Sequence, residues 1–473
     1  MTDQTPQIWW VRRDLRLSDN RALVAAAEAG PVLPLVIWDE AVEALGAAAQ
    51  WRFVEGVAAL ARDLEARGSR LILRKGGALE VLQAVIAEAG AGAVHWQRLY
   101  DPQSIARDKK IKSTLKDAEI IAESHAGHLL NEPWHVSTGT GGYYKVYTPF
   151  WKSIRGNDPG AALGVPKGLK APEAWPEGER VEAWQARASF PRGPEILARH
   201  TAPGEAAAQE RLAAFIGEGL ADYGEGRNDL EGDGTSRLSD YLSLGEISPR
   251  QVWQAVARHR EEGVAGAEAF LRQIAWRDFA QHLMYHTPGL LSENWRDGWG
   301  RFAWITDADH PHLLAWQQGR TGIALVDAAM REMYVTGRMH NRARMVAASY
   351  LTKHLMIHWK LGMKWFDDCL CDWDPACNAM GWQWVAGTGP DASPFFRVFN
   401  PDGQAEKFDS KGRYRARWLA EGQQNPDARA MAFYDAIPRR WGLSPKDARP
   451  EPIVGLREGR ERALEAYSAL KSG

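Results

Sequence analysis

The sequence contains little cysteine and no long apolar run. Its three cysteines, Cys369, Cys371 and Cys377, form no CxxC pair and have no zinc-type histidine spacing, so we interpret them as buried structural thiols and expect no metal site. No run of eighteen apolar residues is present, and the first seven residues lack the pattern of a secretion signal. We therefore expect a cytoplasmic protein that has no membrane partner.

Standard phosphate-binding loops are also missing, since neither GxGxxG after the first strand nor GxxxxGK[ST] occurs. The formal net charge of −2 does not indicate a nucleic-acid binder. Basic residues do concentrate late in the chain: Arg338, Arg342, Arg344, Arg397, Lys407, Lys411, Arg413, Arg415, Arg417, Arg439 and Arg440. Such a group can bind phosphates on a neutral protein, but charge alone fits an ordinary solvated surface better.

Tryptophan, in contrast, is abundant, with 22 residues in a chain of 473. A tryptophan ring favours burial and its N–H needs a partner. The enrichment indicates surfaces for flat ligands, stacked bases or electron transfer, and a large aromatic core is the alternative.

The first 130 residues alternate short apolar runs with amphipathic segments. We predict strands at 8–11, 32–38, 70–73, 93–96 and 119–122, and helices at 21–29, 51–67 and 79–89. This alternation is typical of a doubly wound parallel sheet.

The rest of the chain divides into two parts. Residues 131–203 are rich in Gly and Pro and are predicted to form a long irregular linker. Residues 204–473 are predicted to be a helical domain, with helices at 205–217, 249–260, 266–286, 323–336, 341–361 and 365–371. The expected architecture is an α/β domain (1–130), a linker and an all-α domain.

Four segments of the helical part have the composition of a site. Residues 234–239 (GTSRLS) precede a helix and offer free N–H groups to a phosphate, although alone they fit an ordinary cap better. Residues 339–345 (MHNRARM) place an amide, a cation and a thioether on one helix face. Residues 372–378 combine two carboxylates with an amide, and 273–276 combine Gln with Trp, a pair suited to base contacts; helix capping and partial burial are the alternatives.

Six motifs occur in one order along the chain: DLRLSDN at 14–20, TSRLS at 235–239, WR at 276–277, MHNR at 339–342, GWQW at 381–384 and FFRVFNP at 395–401. In this combination the chain resembles the photolyase/cryptochrome family over nearly its whole length. Residues 341–345 and 382–384 are most similar to those of microbial class I cyclobutane pyrimidine dimer photolyases. The resemblance implies an α/β domain followed by an all-α FAD-binding domain.

The implied cofactor is FAD, bent into a U in the helical domain. The residues that the resemblance assigns to it are Tyr223, Thr235, Ser236, Arg237, Leu238, Ser239, Trp276, Arg277, Asn341, Arg344, Asp372, Asp374 and Asn378. By similarity, Arg344 pairs with Asp372 beside the isoalloxazine ring and Asn378 faces its N5. An anionic reduced flavin in a dry pocket needs such positive and donor groups.

The implied partner is UV-damaged DNA, whose damaged dinucleotide flips out into a cavity over the flavin. Trp276 and Trp384 would stack on the lesion from two sides. The implied DNA contacts are Gln273, Trp276, Asn341, Arg342, Met345, Trp384, Arg397 and Gln404. Light then drives an electron from reduced FAD to the lesion, the cyclobutane ring splits and the electron returns. The implied enzyme is expected to be a monomer.

A separate relay would keep the flavin reduced. Trp382, Trp359 and Trp304 resemble the family's electron-transfer chain and, with Gln273 and Asn378, complete the predicted catalytic residues. The segment around Trp304 differs in length from the family's. Packing in a hydrophobic core is the alternative role for each of these tryptophans.

Gln273 departs from the family pattern, because cyclobutane photolyases usually have Glu there and (6-4) photolyases usually have Gln. Those (6-4) enzymes carry paired histidines, one at the position of Asn341, and His340 alone does not supply that pair. The alternatives are therefore a (6-4) photolyase or a blue-light photoreceptor of the cryptochrome type. A plain flavin oxidoreductase lacks support, since no nicotinamide signature is present.

An antenna pigment would bind the α/β domain of such a protein. Residues 45–52 (LGAAAQWR), which include Arg52, and Tyr100-Asp101 resemble deazaflavin-binding relatives loosely. Deazaflavin, folate and FMN are all candidates, and an empty pocket is the alternative.

Overall fold

The computed structural model describes residues 5–190, 193–391 and 396–472. Phe395, the first residue of the predicted FFRVFNP motif, lies outside these ranges. The expected fold class is confirmed, because an α/β domain precedes a domain built from helices. Within the described ranges, no helix combines the length and apolarity needed to cross a membrane.

The α/β domain contains one parallel sheet of five strands in the order β3-β2-β1-β4-β5. The strands are β1 (Gln7–Val11), β2 (Val32–Trp38), β3 (Ile72–Lys75), β4 (Ala93–Gln97) and β5 (Ile121–His125). β1 and β2 are buried along their whole length, as continuous apolar runs predict for a sheet covered on both faces. The prediction for β5 ended too early, because the last three residues of this edge strand are polar.

Five helices cover the sheet: α1 (Arg21–Ala29), α2 (Glu40–Glu43), α3 (Ala47–Glu65), α4 (Ala78–Ala89) and α5 (Pro102–Asp117). The predicted helix 21–29 is confirmed, and the side chain of Asn20 caps it by accepting from Leu23 N. Our sequence analysis missed α5, which has few apolar residues. Its start is marked by Asp101, which accepts from Ser104 N, and by a proline at the first helical position.

The predicted linker contains more regular structure than its Gly and Pro content indicated. It includes α6 (Tyr147–Ile154), α7 (Val181–Arg187) and α8 (Pro194–Ala198). Four aromatic or aliphatic residues of α6 are buried at helical spacing, namely Tyr147, Phe150, Trp151 and Ile154. This segment is therefore part of the hydrophobic core of the helical domain.

The helical domain is formed by α9 (Glu205–Glu218), α10 (Tyr223–Gly226), α11 (Ser239–Leu244), α12 (Pro249–Glu261), α13 (Ala267–His286), α14 (Pro311–Gln317), α15 (Ala324–Thr336), α16 (Asn341–Ser349), α17 (Trp359–Cys369), α18 (Pro375–Ala386), α19 (Pro401–Phe408), α20 (Arg413–Trp418), α21 (Ala428–Ala436) and α22 (Leu456–Ser472). Two large hydrophobic clusters fill it. α13, α16 and α18 line a cavity that we call the main cavity, because most of the predicted site residues border it.

The single helix predicted at 341–361 is wrong. α16 ends in a π-helical turn, Tyr350–His354, and Met356 then adopts the left-handed backbone conformation with φ of 56°. Ile357 forms an isolated parallel bridge with Ile305, so a tertiary contact replaces the helical hydrogen bonds here. A new helix, α17, begins at Trp359 with His358 as its cap.

Close backbone contact joins the two domains at Gly46. A Cβ atom at this position would lie 2.2 Å from the backbone oxygen of Asp367, which is too close for any other residue. The carboxylate of Asp367 accepts from Gly46 N at 3.2 Å, and that of Asp368 accepts from Ala47 N at 3.3 Å. The N-terminus of α3 is therefore fixed by residues of α17.

Candidate active site

A cavity of about 320 Å³ opens between α11, α13, α16 and α18. It brings together thirteen residues that the sequence analysis assigned to the site: Tyr223, Ser236, Leu238, Ser239, Gln273, Arg277, Asn341, Arg344, Met345, Asp372, Asp374, Asn378 and Trp382. An adjoining cavity of about 690 Å³ adds Thr235 and Arg237 and shares Arg344 and Asp372 with the first. The residues common to both linings show that the two spaces adjoin.

An ion pair lies where the two cavities meet. The guanidinium Nη2 of Arg344 is 2.7 Å from Asp372 Oδ2, and Arg344 Nε donates to the backbone oxygen of Met339. The other carboxylate oxygen, Asp372 Oδ1, is buried and has no partner among the described residues. A buried acceptor of this kind needs a donor, so the residues present fit a ligand that carries N–H or O–H groups.

Asp374 and Asn378 lie in the wall of the cavity and are partly engaged by the protein. Asp374 caps α18 by accepting from Cys377 N, and its second oxygen accepts from Gln281 Nε2 at 2.9 Å. Asn378 Nδ2 donates to the backbone oxygen of Asp374 at 3.0 Å, which fixes the orientation of the amide. Gln281 was not found by sequence reasoning, because its partner lies 93 positions away.

The TSRLS segment forms a loop in front of α11. Arg237 has a φ of 52°, and its guanidinium pairs with Asp233 at 2.7 Å. Arg211 of α9 donates to the backbone oxygen of Ser236 at 2.8 Å, another contact that the sequence did not reveal. Gly234 contacts the backbone of Gly226 so closely that a Cβ would lie 2.3 Å from its oxygen. The loop is thus held by the backbone and by two arginines.

Gln273, Asn341 and Met345 lie at the mouth of the main cavity. Asn341 is exposed at the first position of α16, and its Nδ2 lies 3.8 Å from Met345 Sδ. The preceding His340 caps α16, because its Nδ1 accepts from Arg342 N. Burial, followed by the charge of Arg342, lowers the pKa of His340 to about 4, so this ring is neutral near pH 7.

Trp276 does not line the main cavity, although the sequence analysis also assigned it to the cofactor. Its ring is half-buried and stacks on Tyr147 with ring centres 3.7 Å apart at 9°. Phe279 contacts it edge-on at 5.7 Å. Trp276 is therefore an aromatic platform that is supported from one side.

Trp384, the second tryptophan predicted to stack on the lesion, is also linked to Tyr147. Its Nε1 donates to the backbone oxygen of Asp391 at 3.2 Å. The carboxyl of Asp391 accepts from the backbone of Tyr147, and burial raises its pKa above the ordinary value despite this bond. Tyr147 and Asp391 thus link the two tryptophans that were predicted to enclose the lesion.

The remaining residues predicted to contact DNA differ in their exposure and in the contacts that their side chains already make. Arg397 is exposed, whereas Arg342 donates to Asn228 Oδ1 at 2.6 Å and lies 4.4 Å from the ring centre of Phe408. Burial lowers the pKa of Arg342 below its ordinary value. Gln404 is half-buried, and its Oε1 has no partner among the described residues. Arg342 and Gln404 therefore present oriented polar groups.

The three predicted relay residues differ in how far they are buried. Trp382 lines the cavity and packs on Phe366 at 4.9 Å. Trp359 is fully buried, and its N–H donates to Asn294 at 2.8 Å. The ring of His358 lies 5.5 Å from Trp359 and 5.4 Å from Trp304, which is partly exposed. The bridge between Ile305 and Ile357 holds the Trp304 segment in this place.

A third cavity, of about 470 Å³, lies in the α/β domain at the carboxyl ends of β1 and β2. Asp101 lines it, and so does Leu45 from the predicted segment 45–52. The guanidinium groups of Arg12 and Arg107 lie 4.6 and 5.0 Å from the ring centre of Trp10, which also faces this space.

Arg52, which was also predicted to contact the antenna, is not among the residues that line this cavity. It is completely buried and forms a bidentate ion pair with Glu246, and its Nε lies 3.4 Å from Asp240. Glu246 also accepts from Gly204 N at 2.8 Å. A basic residue next to a predicted antenna motif therefore serves here to join the two domains.

Known proteins resemble this chain over nearly its whole length. The model for DNA photolyase matches residues 7–167, and that for the FAD binding domain of DNA photolyase matches residues 270–469. A deoxyribodipyrimidine photo-lyase of Agrobacterium fabrum is 43% identical over 98% of each chain. Cryptochrome-2 of Arabidopsis thaliana is 34% identical over 98% of this chain and 79% of its own. The crystal structure of a bacterial class III photolyase from Agrobacterium tumefaciens is 42% identical, with a TM-score of 0.91 over 100% of this chain and 99% of that chain.

Proposed function

The chain belongs to the photolyase/cryptochrome family, and from this we propose that it is a light-driven DNA repair enzyme that splits cyclobutane pyrimidine dimers with FAD as its cofactor. The observation that carries the proposal is that one cavity is lined both by the Arg344–Asp372 pair and Trp382 and by Gln273, Asn341 and Met345. The residues proposed to hold FAD and those proposed to contact the bases thus line one cavity.

FAD would be held by the groups that this cavity leaves available. Asp372 Oδ1 is a buried acceptor that has no partner in the described part of the chain, and Arg344 supplies a positive charge beside it. The loop at 235–239 and the start of α11 offer backbone donors to phosphate oxygens. Reduced FAD supplies the electron that splits the ring after light absorption.

The residues at the mouth would receive the flipped lesion. Trp276, supported by Tyr147, and Trp384 offer ring faces on which pyrimidines can stack. Gln273 and Asn341 offer amides to the base edges, and Met345 offers a polarisable contact. Arg397 at the surface would contact the DNA strand outside the cavity.

Trp382, Trp359 and Trp304 would carry an electron from the surface toward the cavity. Trp382 lies in the wall, and Trp304 is the partly exposed end of the series. The cavity beside Trp10 would hold the antenna, for which deazaflavin, folate and FMN are the candidates. The class I assignment is a prediction; the relative from Agrobacterium tumefaciens is described as class III.

The test is illumination of the purified, reduced protein with oligonucleotides that carry a cyclobutane thymine dimer, a (6-4) photoproduct or no lesion. Chromatography should show the cyclobutane lesion restored in light and unchanged in the dark. Restoration of neither lesion would contradict repair and favour the photoreceptor.

A second candidate is repair of the (6-4) photoproduct, which Gln273 favours. Asn341 opposes it, and His340 is engaged in capping α16. Restoration of the (6-4) oligonucleotide alone would establish this second reading.

A further inference from the structure

The edge of the parallel sheet carries three metal-ligating side chains on one face. β4 and β5 pair in parallel with His95 opposite Glu123, and His125 follows Glu123 by two residues. Side chains two residues apart on a strand point to the same face of a sheet. The register therefore brings His95, Glu123 and His125 together, outside the cavities described above.

The three ligand atoms form a compact triangle. His95 Nδ1 is 3.2 Å from His125 Nε2 and 3.9 Å from Glu123 Oε2, and His125 Nε2 is 4.0 Å from the same oxygen. A point about 2.2 Å from all three atoms lies at the centre of this triangle, and the bonds of zinc to His and Glu are about 2.0–2.2 Å long. No rearrangement of the strands is required to place an ion there.

A second contact orients His95 for this role. Its Nε2 lies 3.4 Å from Gln7 Oε1, and the amide of Gln7 is oriented by donating from Nε2 to the backbone oxygen of Thr5 at 2.8 Å. Gln7 therefore presents an acceptor, which places the ring proton of His95 on Nε2 and leaves the Nδ1 lone pair facing the centre of the triangle. Metal-bound histidines are oriented by such outer contacts.

We propose that His95, Glu123 and His125 bind one divalent transition-metal ion of the Zn²⁺ class. The short distance between the two imidazole nitrogens could also be a simple hydrogen bond. A hydrogen bond alone, however, would not require a carboxylate oxygen at a similar distance from both nitrogens. Two imidazoles and one carboxylate suit Zn²⁺ better than Mg²⁺ or Ca²⁺, which prefer oxygen ligands. Glu123 is 57% exposed, so one side of the site is open to a water ligand.

The bound ion would fasten the edge strand β5 to β4. Because the three residues come together only in the folded sheet, the ion stabilises the folded chain by an amount that grows with the logarithm of the free ion concentration once this exceeds the dissociation constant.

The test is calorimetric titration of the FAD-loaded full chain, prepared without a histidine tag and freed of metal by a chelator, with ZnCl₂. We expect one ion per chain with a dissociation constant below about 100 µM, a higher melting temperature in its presence, and an anomalous diffraction signal at the zinc edge between the three residues. Binding should weaken at least tenfold in His125→Ala and measurably in Glu123→Gln. The matched control is His135→Ala, which removes an exposed histidine outside the cluster.

Three results would overturn the proposal: no saturable binding below about 1 mM, equal affinity in His125→Ala and the unaltered chain, or an anomalous signal elsewhere. Circular dichroism, measured in every sample, establishes that each variant is folded.

Discussion

The rings of Tyr147 and Trp276 are stacked with centres 3.7 Å apart at an angle of 9°. Tyr147 belongs to the segment predicted to be a linker, and its hydroxyl donates to the backbone oxygen of Arg272 at 2.6 Å. One face of Trp276 is therefore occupied by the protein, and its position is set by a helix that the sequence analysis did not find. This arrangement prepares the other face for a planar ligand.

Replacing Tyr147 with Leu should weaken binding of an oligonucleotide that carries a cyclobutane dimer about fivefold, since an aromatic pair contributes about 1 kcal/mol. FAD content should not change, because Tyr147 does not line the main cavity. Fluorescence anisotropy measures the affinity. Tyr144→Leu removes a neighbouring half-buried ring that contacts Phe150 and should have no effect on binding; equal losses in both variants would contradict a specific role for Tyr147.

Replacing Gln273 with Glu should raise the affinity for the cyclobutane lesion, or the repair yield, several-fold. A charged acceptor forms a hydrogen bond worth about 1.5–3 kcal/mol, compared with about 1 kcal/mol for a neutral pair. Binding and single-turnover repair are measured on the same oligonucleotide. Gln424→Glu adds the same charge at an exposed position and serves as the control. If the two variants behave alike, Gln273 does not contact the lesion.

Replacing Trp382 with Phe should slow light-driven reduction of FAD by at least tenfold and leave repair by chemically reduced protein intact. The reason is that Trp382 is the predicted relay residue that lines the cavity. Transient absorption follows the reduction. Trp253→Phe, a buried tryptophan that packs on Trp151 in another part of the core, is the control. Unchanged reduction in Trp382→Phe would place the electron path elsewhere.

Replacing Asp372 with Asn should lower the affinity for FAD by tenfold or more, because it removes the negative charge that pairs with Arg344 and replaces one of the two carboxylate oxygens by an NH2 group. Loss of one member of a partly buried ion pair costs about 2 kcal/mol or more. The flavin content after dialysis reports the change. Asp402→Asn, at an exposed position of α19, should retain the cofactor. Full retention in Asp372→Asn would mean that this carboxylate does not contact FAD.

Replacing Arg52 with Met should lower the free energy of unfolding by about 3–5 kcal/mol, since it leaves Glu246 charged and buried without its partner. Arg74→Met removes a partly exposed ion pair with Glu88 and should cost less than about 1 kcal/mol. Urea denaturation measures both. A loss of antenna pigment from Arg52→Met without a loss of stability would support the original antenna assignment instead.

Much of the site could be predicted because its residues lie in short motifs. Residues 235–239, 341–345 and 372–382 each combine several site residues on a loop or helix, and the structure places them around one space. Residues whose role depends on distant partners were missed: Arg211 donates to Ser236, Gln281 to Asp374, and Tyr147 stacks on Trp276.

Other errors arose where local pattern and tertiary contact disagree. The apolar periodicity of 341–361 predicted one helix, but the bridge between Ile305 and Ile357 interrupts it. The polar residues of β5 gave no strand signal, and this error concealed the cluster of His95, Glu123 and His125. Arg52 was predicted to contact an antenna pigment, and the fold buries it against Glu246.

The sequence by itself determined the alternation of strands and helices, the helical second half and the order of the site motifs, because these depend on periodicity and on residues adjacent in the chain. Only the tertiary structure decided which side chains share a cavity, which arginines pair with a carboxylate and which histidines lie side by side on neighbouring strands. Such pairings depend on strand register and helix packing. Both are set by hydrophobic burial over the whole chain, so no single segment of the sequence reveals them.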